Sequence, residues 1–355
     1  MKPLPAGMSA VTIRDIANDL SMSHATVSRA LANHPSVKPD TKLRVQTRAR
    51  ELGYVPNGLA QSMRGTHGPV LGLVIPDIQN EFYAAMAQIV ADAAAARGFH
   101  LALSITEDDP DREMGDVRAL LVSRAAGVII TPTSKARAET LEMLRGINAA
   151  QLVRRHPGIA HEAVLIDDFA GVASATRHLV NYGHRRIAYV GTHPDISCGL
   201  DRHEGFRSVM AEYGLDAGHT ALGPPRPEFA QHAVTSLLAA GNQRPTALVV
   251  GSSSLTIGAL EALRGLRLRW PEDISLVGYG DPVWFKLIGH GLTTVQLPVQ
   301  EMGRYATSLL LMRFEGSSTM AAGSTGEASR FAPSLVVRGS TAIFPHSPQE
   351  YQARP

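Results

Sequence analysis

A single cysteine, Cys198, stands in a chain of 355 residues. One thiol excludes an internal disulfide and any all-cysteine zinc site, and no partner base pattern around it marks it as a nucleophile. The fourteen histidines are scattered, and His203-Glu204 lacks the second histidine of a helical zinc site. Long apolar runs are missing as well. The segment Met1-Lys2-Pro3-Leu4-Pro5-Ala6-Gly7-Met8 has no signal-peptide core, and no later stretch approaches about 18 uninterrupted apolar residues. Neither secretion nor membrane insertion is indicated, so a cytoplasmic protein is expected. Also absent are G-x-x-x-x-G-K-S/T, G-x-G-x-x-G after a strand, H-E-x-x-H and G-x-S-x-G, which argues against an enzyme and implies no cofactor.

What is present is organised around Thr12 to Met63. Thr12 followed by Asp15 is a capping-box pattern, and Ile13, Ile16, Ala17 and Leu20 recur at helical spacing. Ser21-Met22-Ser23 interrupts that helix. Val27, Ala30 and Leu31 then resume the apolar period, leaving His24, Ala25, Ser28 and Arg29 on the other face. A third helix is expected from Pro39, a favourable first helical position, to a C-terminal cap at Gly53. Up to residue 67 nine basic residues face four acidic ones, a net charge of +5. The whole chain carries +2, so the remainder is −3. A basic three-helix head on a mildly acidic body is a footprint for nucleic acid rather than an ordinary ligand-free bundle.

The run Thr12 to Arg29, then Val37 to Thr41, Leu52-Gly53-Tyr54-Val55-Pro56-Asn57 and Leu59-Ala60-Gln61-Ser62-Met63, resembles the DNA-binding head of the LacI/GalR family of bacterial repressors. The resemblance implies that His24, Ala25 and Arg29 read bases and that Thr12, Ser23, Thr26 and Ser28 position phosphates. Arg29 can bond guanine through two donors, and Ala25 can only touch a thymine methyl. For Arg29 a phosphate contact, and for His24 a backbone contact, are the plainer alternatives. Tyr54, Asn57, Ala60 and Met63 complete the DNA-facing set. Asn57 to Arg64 is long enough for about two helical turns, which would order only against a partner or DNA. In the family two such hinge helices enter the minor groove and wedge an apolar side chain, usually leucine, into a base step. Met63 holds that position here.

From Val70 the pattern becomes an alternation of short apolar strands and amphipathic helices, beginning with Val70 to Ile75, Ala84 to Arg97 and Phe99 to Leu103. A second, similar series starts at Gly171 to Tyr182 and runs through Ile274 to Gly278. The expected fold is therefore an all-α helix-turn-helix domain followed by an α/β core of parallel sheets in two lobes, with ligands outside the carboxyl ends of the strands. Ile75-Pro76-Asp77, Asn80 to Tyr83, Gly183 to Ala188, Arg202 to Phe206 and Leu292 to Val295 extend the resemblance into the family's effector core, which is similar to periplasmic sugar-binding proteins. It implies a head over 1–55, a hinge and linker over 56–68, and a core over 69–345. The first lobe would hold 69–167 and 297–329 and the second 168–296 and 330–345, with 346–355 as a tail. Residues 315–329, rich in Gly, Ser, Thr and Ala, read as a surface loop.

The resemblance places Phe82, Tyr83, Arg154, Arg202, Ser252, Asp281 and Trp284 at the effector cleft. Plainer readings are core packing for Phe82 and a lid contact for Trp284. Three departures from the family bear on the effector. Gly280 stands where an acid is common, Ser252-Ser253 where Asn-Asp is common, and Arg154-Arg155 where aspartate precedes arginine. Either Arg154 serves an anionic effector, such as a sugar acid or small carboxylate, or it makes an interlobe ion pair with Asp77, Asp167 or Asp168. The expectation as a whole is a homodimeric regulator, in the manner of a repressor, that binds palindromic double-stranded operator DNA under control of a small-molecule effector. A solute-binding protein or α/β enzyme with no DNA-binding role is the competing reading. The tail lacks leucine heptads, so a coiled-coil tetramer is not indicated.

Overall fold

The computed structural model describes residues 11–31, 34–54, 69–239, 244–316 and 328–344. The chain forms two compact units, one over Met1–Pro69 and one over Val70–Pro355.

In the first unit, α1 (Ile13–Asp19), α2 (His24–Leu31) and α3 (Pro39–Glu51) enclose Ile16, Ala17, Val27, Ala30, Val45 and Ala49. The capping box is formed: the Thr12 amide and hydroxyl each donate to Asp15 Oδ2 at 2.7 Å. The Asp15 amide returns to Thr12 Oγ1 at 3.4 Å. These bonds, the backbone one foremost, hold the Asp15 carboxyl below its ordinary value. Ser21 turns the chain with a left-handed φ of 52°. Ser23 then caps α2, its Oγ accepting the Thr26 amide at 3.1 Å. Pro39 is in the first turn of α3, and Gly53, at φ 67°, follows its end. Arg48 joins α3 to α1 through Asp19, with Nε 2.5 Å from Oδ2.

The second unit is two three-layer lobes. The first sheet has the order β11-β5-β4-β3-β1-β2 and is parallel throughout. Its strands are β1 (Val70–Ile75), β2 (His100–Ile105), β3 (Gly127–Ile130), β4 (Ala149–Leu152), β5 (Ala163–Ile166) and β11 (Ala328–Phe331). One face is covered by α4 (Glu81–Ala95) and α11 (Val299–Phe314), the other by α5 (Pro110–Val122) and α6 (Ala138–Arg145). With both faces buried, strands such as β3 (GVII) and β5 (AVLI) are apolar without alternation.

The second sheet has the order β12-β10-β9-β8-β6-β7, built from β6 (Ile187–Thr192), β7 (Thr220–Gly223), β8 (Ala247–Val250), β9 (Ser275–Tyr279), β10 (Thr293–Gln296) and β12 (Ser334–Val336). Only β12 runs antiparallel. Its layers are α7 (Asp168–Asn181) with α8 (Ser197–Glu212), and α9 (Pro227–Leu238) with α10 (Ser253–Gly265). Gly258 lets α10 lie directly on α9: a Cβ there would stand 1.9 Å from the Pro227 carbonyl oxygen.

The chain passes between the lobes three times, after β5, after β10 and after β11. α11 returns to the first lobe and β12 to the second, as the resemblance implies. The last change falls later than the expected break after residue 329, because Arg330 and Phe331 still pair with Leu165 and Ile166. No described helix is long and apolar enough to cross a membrane.

Candidate functional site

In the head, α2 buries Val27 and Ala30 and leaves His24, Ala25 and Arg29 exposed. An apolar face on the bundle thus fixes a short polar edge with one guanidinium near its end. The hydroxyls expected at phosphates have structural work of their own. Thr12 Oγ1 is committed to Asp15, and Ser23 and Thr26 bond each other at 2.8 Å. Thr26 and Ser28 are half-buried, as is Tyr54, which packs against the head's core. Arg48, counted among the head's cations, is held by Asp19 and Glu51. Asn57, Ala60 and Met63 lie outside the described residues.

In the core, a cavity of about 570 Å³ lies between the carboxyl ends of the two sheets. The segment after β1 contributes Asp77, Asn80, Phe82 and Tyr83, that after β2 contributes Glu107 and Asp108, and that after β4 contributes Arg154. The second lobe supplies Thr192, Cys198, Arg202, Arg226, Ser252, Ser253 and Tyr279. Of the seven residues expected here, Phe82, Tyr83, Arg154, Arg202 and Ser252 come together on its wall.

Asp281 and Trp284 do not line it. Asp281 is buried in a two-pronged pair with Arg338, at 2.7 and 2.8 Å, which fastens the segment after β12 to the end of β9. Trp284 packs edge-on against Phe285, 4.5 Å between ring centres, in the apolar cluster under α9 and α10.

Arg154 makes none of the three expected pairs, with Asp77, Asp167 or Asp168. Val153, with a left-handed φ of 65°, and a 2.7 Å bond from the Arg154 amide to Leu152 O form a γ-turn at the end of β4. Arg154 Nη1 meets Asp108 Oδ1 at 2.5 Å and Pro132 O at 3.4 Å, all within the first lobe. Asp108 and its neighbour Glu107 also have left-handed backbones, φ 62° and 52°. A β-branched residue and two acidic residues in this region are costly, and such strain collects at functional sites. Burial works to remove the charge of Arg154, and nearby Tyr83 and Asp108 more than offset it, so its proton is held above the ordinary arginine range. Beneath the pair, Glu113 is fully buried and accepts the Thr133 amide at 2.7 Å. Burial pushes its carboxyl up.

Across the cavity, Arg202 Nε meets Asp168 Oδ1 at 2.7 Å and Nη1 meets Gly251 O at 2.8 Å. Its guanidinium lies 4.2 Å over the Tyr279 ring, and the Tyr279 hydroxyl donates to the same Asp168 oxygen. Burial pushes the Asp168 carboxyl up, and Arg202 and Tyr279 pull it back. Asp168 is the residue the sequence reading missed, entering there only as a partner for Arg154. Of the Asp167-Asp168 pair at the start of α7, Asp167 is the cap, accepting the Ala170 amide at 3.0 Å, and Asp168 turns to the site. Burial also pushes the Tyr83 phenol up to about 12 and raises the Cys198 thiol. Cys198 is therefore a neutral wall residue. Among the described residues, bonds that span the lobes include Ser253 to Asn80 at 3.4 Å, the Arg155 amide to Ser197 at 2.9 Å, and Arg330 to Asp201 at 2.9 Å.

This combination of a helix-turn-helix head and a two-lobed cavity matches known proteins over nearly the whole chain. Residues 12–57 match the model for bacterial regulatory proteins of the lacI family, and residues 176–341 that for a periplasmic binding protein-like domain. The HTH-type transcriptional regulator GalS of Salmonella typhimurium is 30% identical over 335 residues, 94% of this chain and 97% of that protein. Among solved structures, a Lac repressor dimer bound to operator and an anti-inducer superposes with a TM-score of 0.78 at 22% identity, covering 94% of this chain and 100% of that one. A complex of the transcriptional regulator CelR with cellobiose gives 0.67 at 26% identity, covering 93% and 99%. The chain belongs to the lacI family of DNA-binding transcriptional regulators.

Proposed function

We propose that two copies of this chain bind a palindromic operator as a homodimer and repress transcription, and that a small polar molecule in the interlobe cavity sets the affinity for DNA. The observation that carries the DNA half is the exposed edge of α2, where His24, Ala25 and Arg29 project from a helix fixed by its buried opposite side. One short recognition helix contacts too few bases for useful affinity, and two related by a two-fold axis read both halves of a palindrome. The Lac repressor relative is a dimer on its operator, which supports the same assembly here. A protein acting on DNA in this way works in the cytoplasm.

The effector half rests on the arrangement of the cavity. Both lobes contribute to its wall, and few bonds join them across it, so a ligand touching both lobes favours one closure angle over others. The change in angle alters how the two heads are presented to their half-sites. The CelR relative holds cellobiose, which supports a small-molecule ligand for this core.

In vitro selection from a random DNA pool tests the proposal. Enrichment of a palindrome bound by two copies of the full chain is expected, and Arg29→Ala should relax preference at one base pair in each half-site. A pool that remains random after selection would rule out the operator reading. The solute-binding alternative predicts that outcome.

A further inference from the structure

We propose that the ligand of the interlobe cavity is a small hydroxy acid whose carboxylate is received by Arg154. This rests on the regulatory reading of the cavity and narrows it to a chemical class.

The cavity wall leaves guanidinium donors unused. Arg154 is only 7% exposed, and its side chain runs from the end of β4 past Pro132, beyond β3, to Asp108, beyond β2. Nη1 is satisfied there. Nε is enclosed with no hydrogen-bond partner and is not itself open to the cavity, whereas Nη2 makes no hydrogen bond among the described residues and is not enclosed. Nη2 is therefore the donor left for a ligand oxygen, and a guanidinium N–H given an acceptor is better satisfied than one without. Arg226, at the start of α9, lines the rim and makes no ion pair among the described residues.

The acceptors on the same wall are partly taken. Asp108 Oδ1 receives Arg154, one Glu107 oxygen pairs with Arg112, Asn80 Oδ1 receives the Phe82 amide, and Ser252 Oγ receives the Leu255 amide. Asp77 uses one oxygen for the Gln79 amide, so it, Asp108 and Glu107 each keep a second carboxylate oxygen. A carboxylate brings acceptor oxygens only, and arginine donors match its planar geometry. The open oxygen of Asp77 leaves room for a hydroxyl donor on the same ligand. A cavity of about 570 Å³ is ample for a six-carbon acid.

The test uses the full chain and matched pairs: D-gluconate with D-glucose, D-galactonate with D-galactose, and D-glycerate with glycerol. Thermal shift and titration calorimetry should show at least one acid raising the melting temperature and binding at least tenfold more tightly than its neutral counterpart. Arg154→Lys keeps the charge and removes the planar guanidinium fork with its Nη2 donor, and should weaken that acid by about tenfold to a hundredfold. Asp108→Asn should change affinity in the opposite direction, because the guanidinium loses its resident counter-charge. The inference falls if no acid of the three binds, if a neutral sugar binds as tightly as its acid, or if Arg154→Lys leaves acid affinity unchanged. DNA binding by the ligand-free wild type separates the two failures. Where DNA binding persists and the acids fail, only the ligand class is wrong; where DNA binding is absent, the regulatory reading goes with it.

Discussion

Asp168→Ala exposes how the second wall of the cavity is held together. In the native chain the Arg202 and Asp168 side chains are 8% and 2% exposed, and their 2.7 Å contact is reinforced by the Tyr279 hydroxyl and the Gly251 carbonyl. Truncating Asp168 leaves a guanidinium in the interior with no counter-charge and a phenol with no acceptor. Removing one partner of a buried pair costs about 3–5 kcal/mol, well above the value of the pair relative to an apolar replacement. At about 2 °C per kcal/mol for a domain of this size, the core should melt about 6–10 °C lower. Asp168→Asn keeps an acceptor for Tyr279 and should lose less. The combination Asp168→Leu with Arg202→Met removes both charges and should be less destabilised than Asp168→Ala alone, giving a strong non-additive coupling. Differential scanning calorimetry of the wild type, these three variants and the single variants Asp168→Leu and Arg202→Met measures this directly. A loss below about 1 kcal/mol for Asp168→Ala, or a double variant equal to the sum of its singles, would refute the reasoning.

Other parts of the fold yield sharper local tests. Gly258→Ala places a methyl 1.9 Å from Pro227 O and within 2.9 Å of the Gln231 amide nitrogen. The rigid contact between α9 and α10 must then open, so about 3 kcal/mol or more of core stability should be lost by urea titration, whereas Gly115→Ala, where a Cβ meets nothing within 4 Å, should be tolerated. Thr12→Ala removes the cap of α1 and should cost the head about 1 kcal/mol with Thr12→Ser largely restoring it, read from the melting of the head by circular dichroism. His184 donates from Nε2 to Ala342 O and is held below its ordinary 6.5 by burial. The unfolded chain therefore binds the proton first. Stability should be full above pH 6.5 and decline as pH falls from there toward the folded-state value, and His184→Gln should flatten that slope in melting curves taken across it.

The alternation of strands and helices was legible in the sequence, because both sheets are buried on two sides and their strands are continuous apolar runs, and the head was legible in its caps and helical spacing; the passage of α11 back to the first lobe followed only from the family resemblance. Some core helix starts were not legible. Two core helices begin earlier than their apolar periodicity suggests: α4 at Glu81 rather than Ala84 and α7 at Asp168 rather than Gly171. Their first turns are fixed by Asn80 and Asp167, whose side chains accept amides of the first turn. The first turn of α4 lines the cavity through Phe82 and Tyr83, so there the shortfall in periodicity coincided with the site. β7, a half-buried edge strand of four residues, gave no signal against its surroundings.

The site itself was only partly legible. Arg154 was visible as a charge at an unusual place, but its partner was not, because Asp108 reaches it from the end of a strand three positions away in the sheet. Asp281 and Trp284 carried the right chemistry at the right distance from β9. Arg338, from beyond β12, claims the first, and the apolar layer under α9 and α10 claims the second. In each case a residue distant in sequence decided which way a side chain points.

The central claim is that the edge of α2 reads a palindrome, and a filter-binding titration of the full chain tests it most directly. The selected palindrome and a scrambled duplex of equal length would be titrated from about 50 to 200 mM salt, beside Arg29→Ala. The account predicts tight, preferential binding whose logarithm falls linearly with that of salt concentration, and a loss of about tenfold or more in preference for Arg29→Ala at each half-site. Equal binding to both duplexes at the lowest salt, or full preference retained without the Arg29 guanidinium, would contradict it.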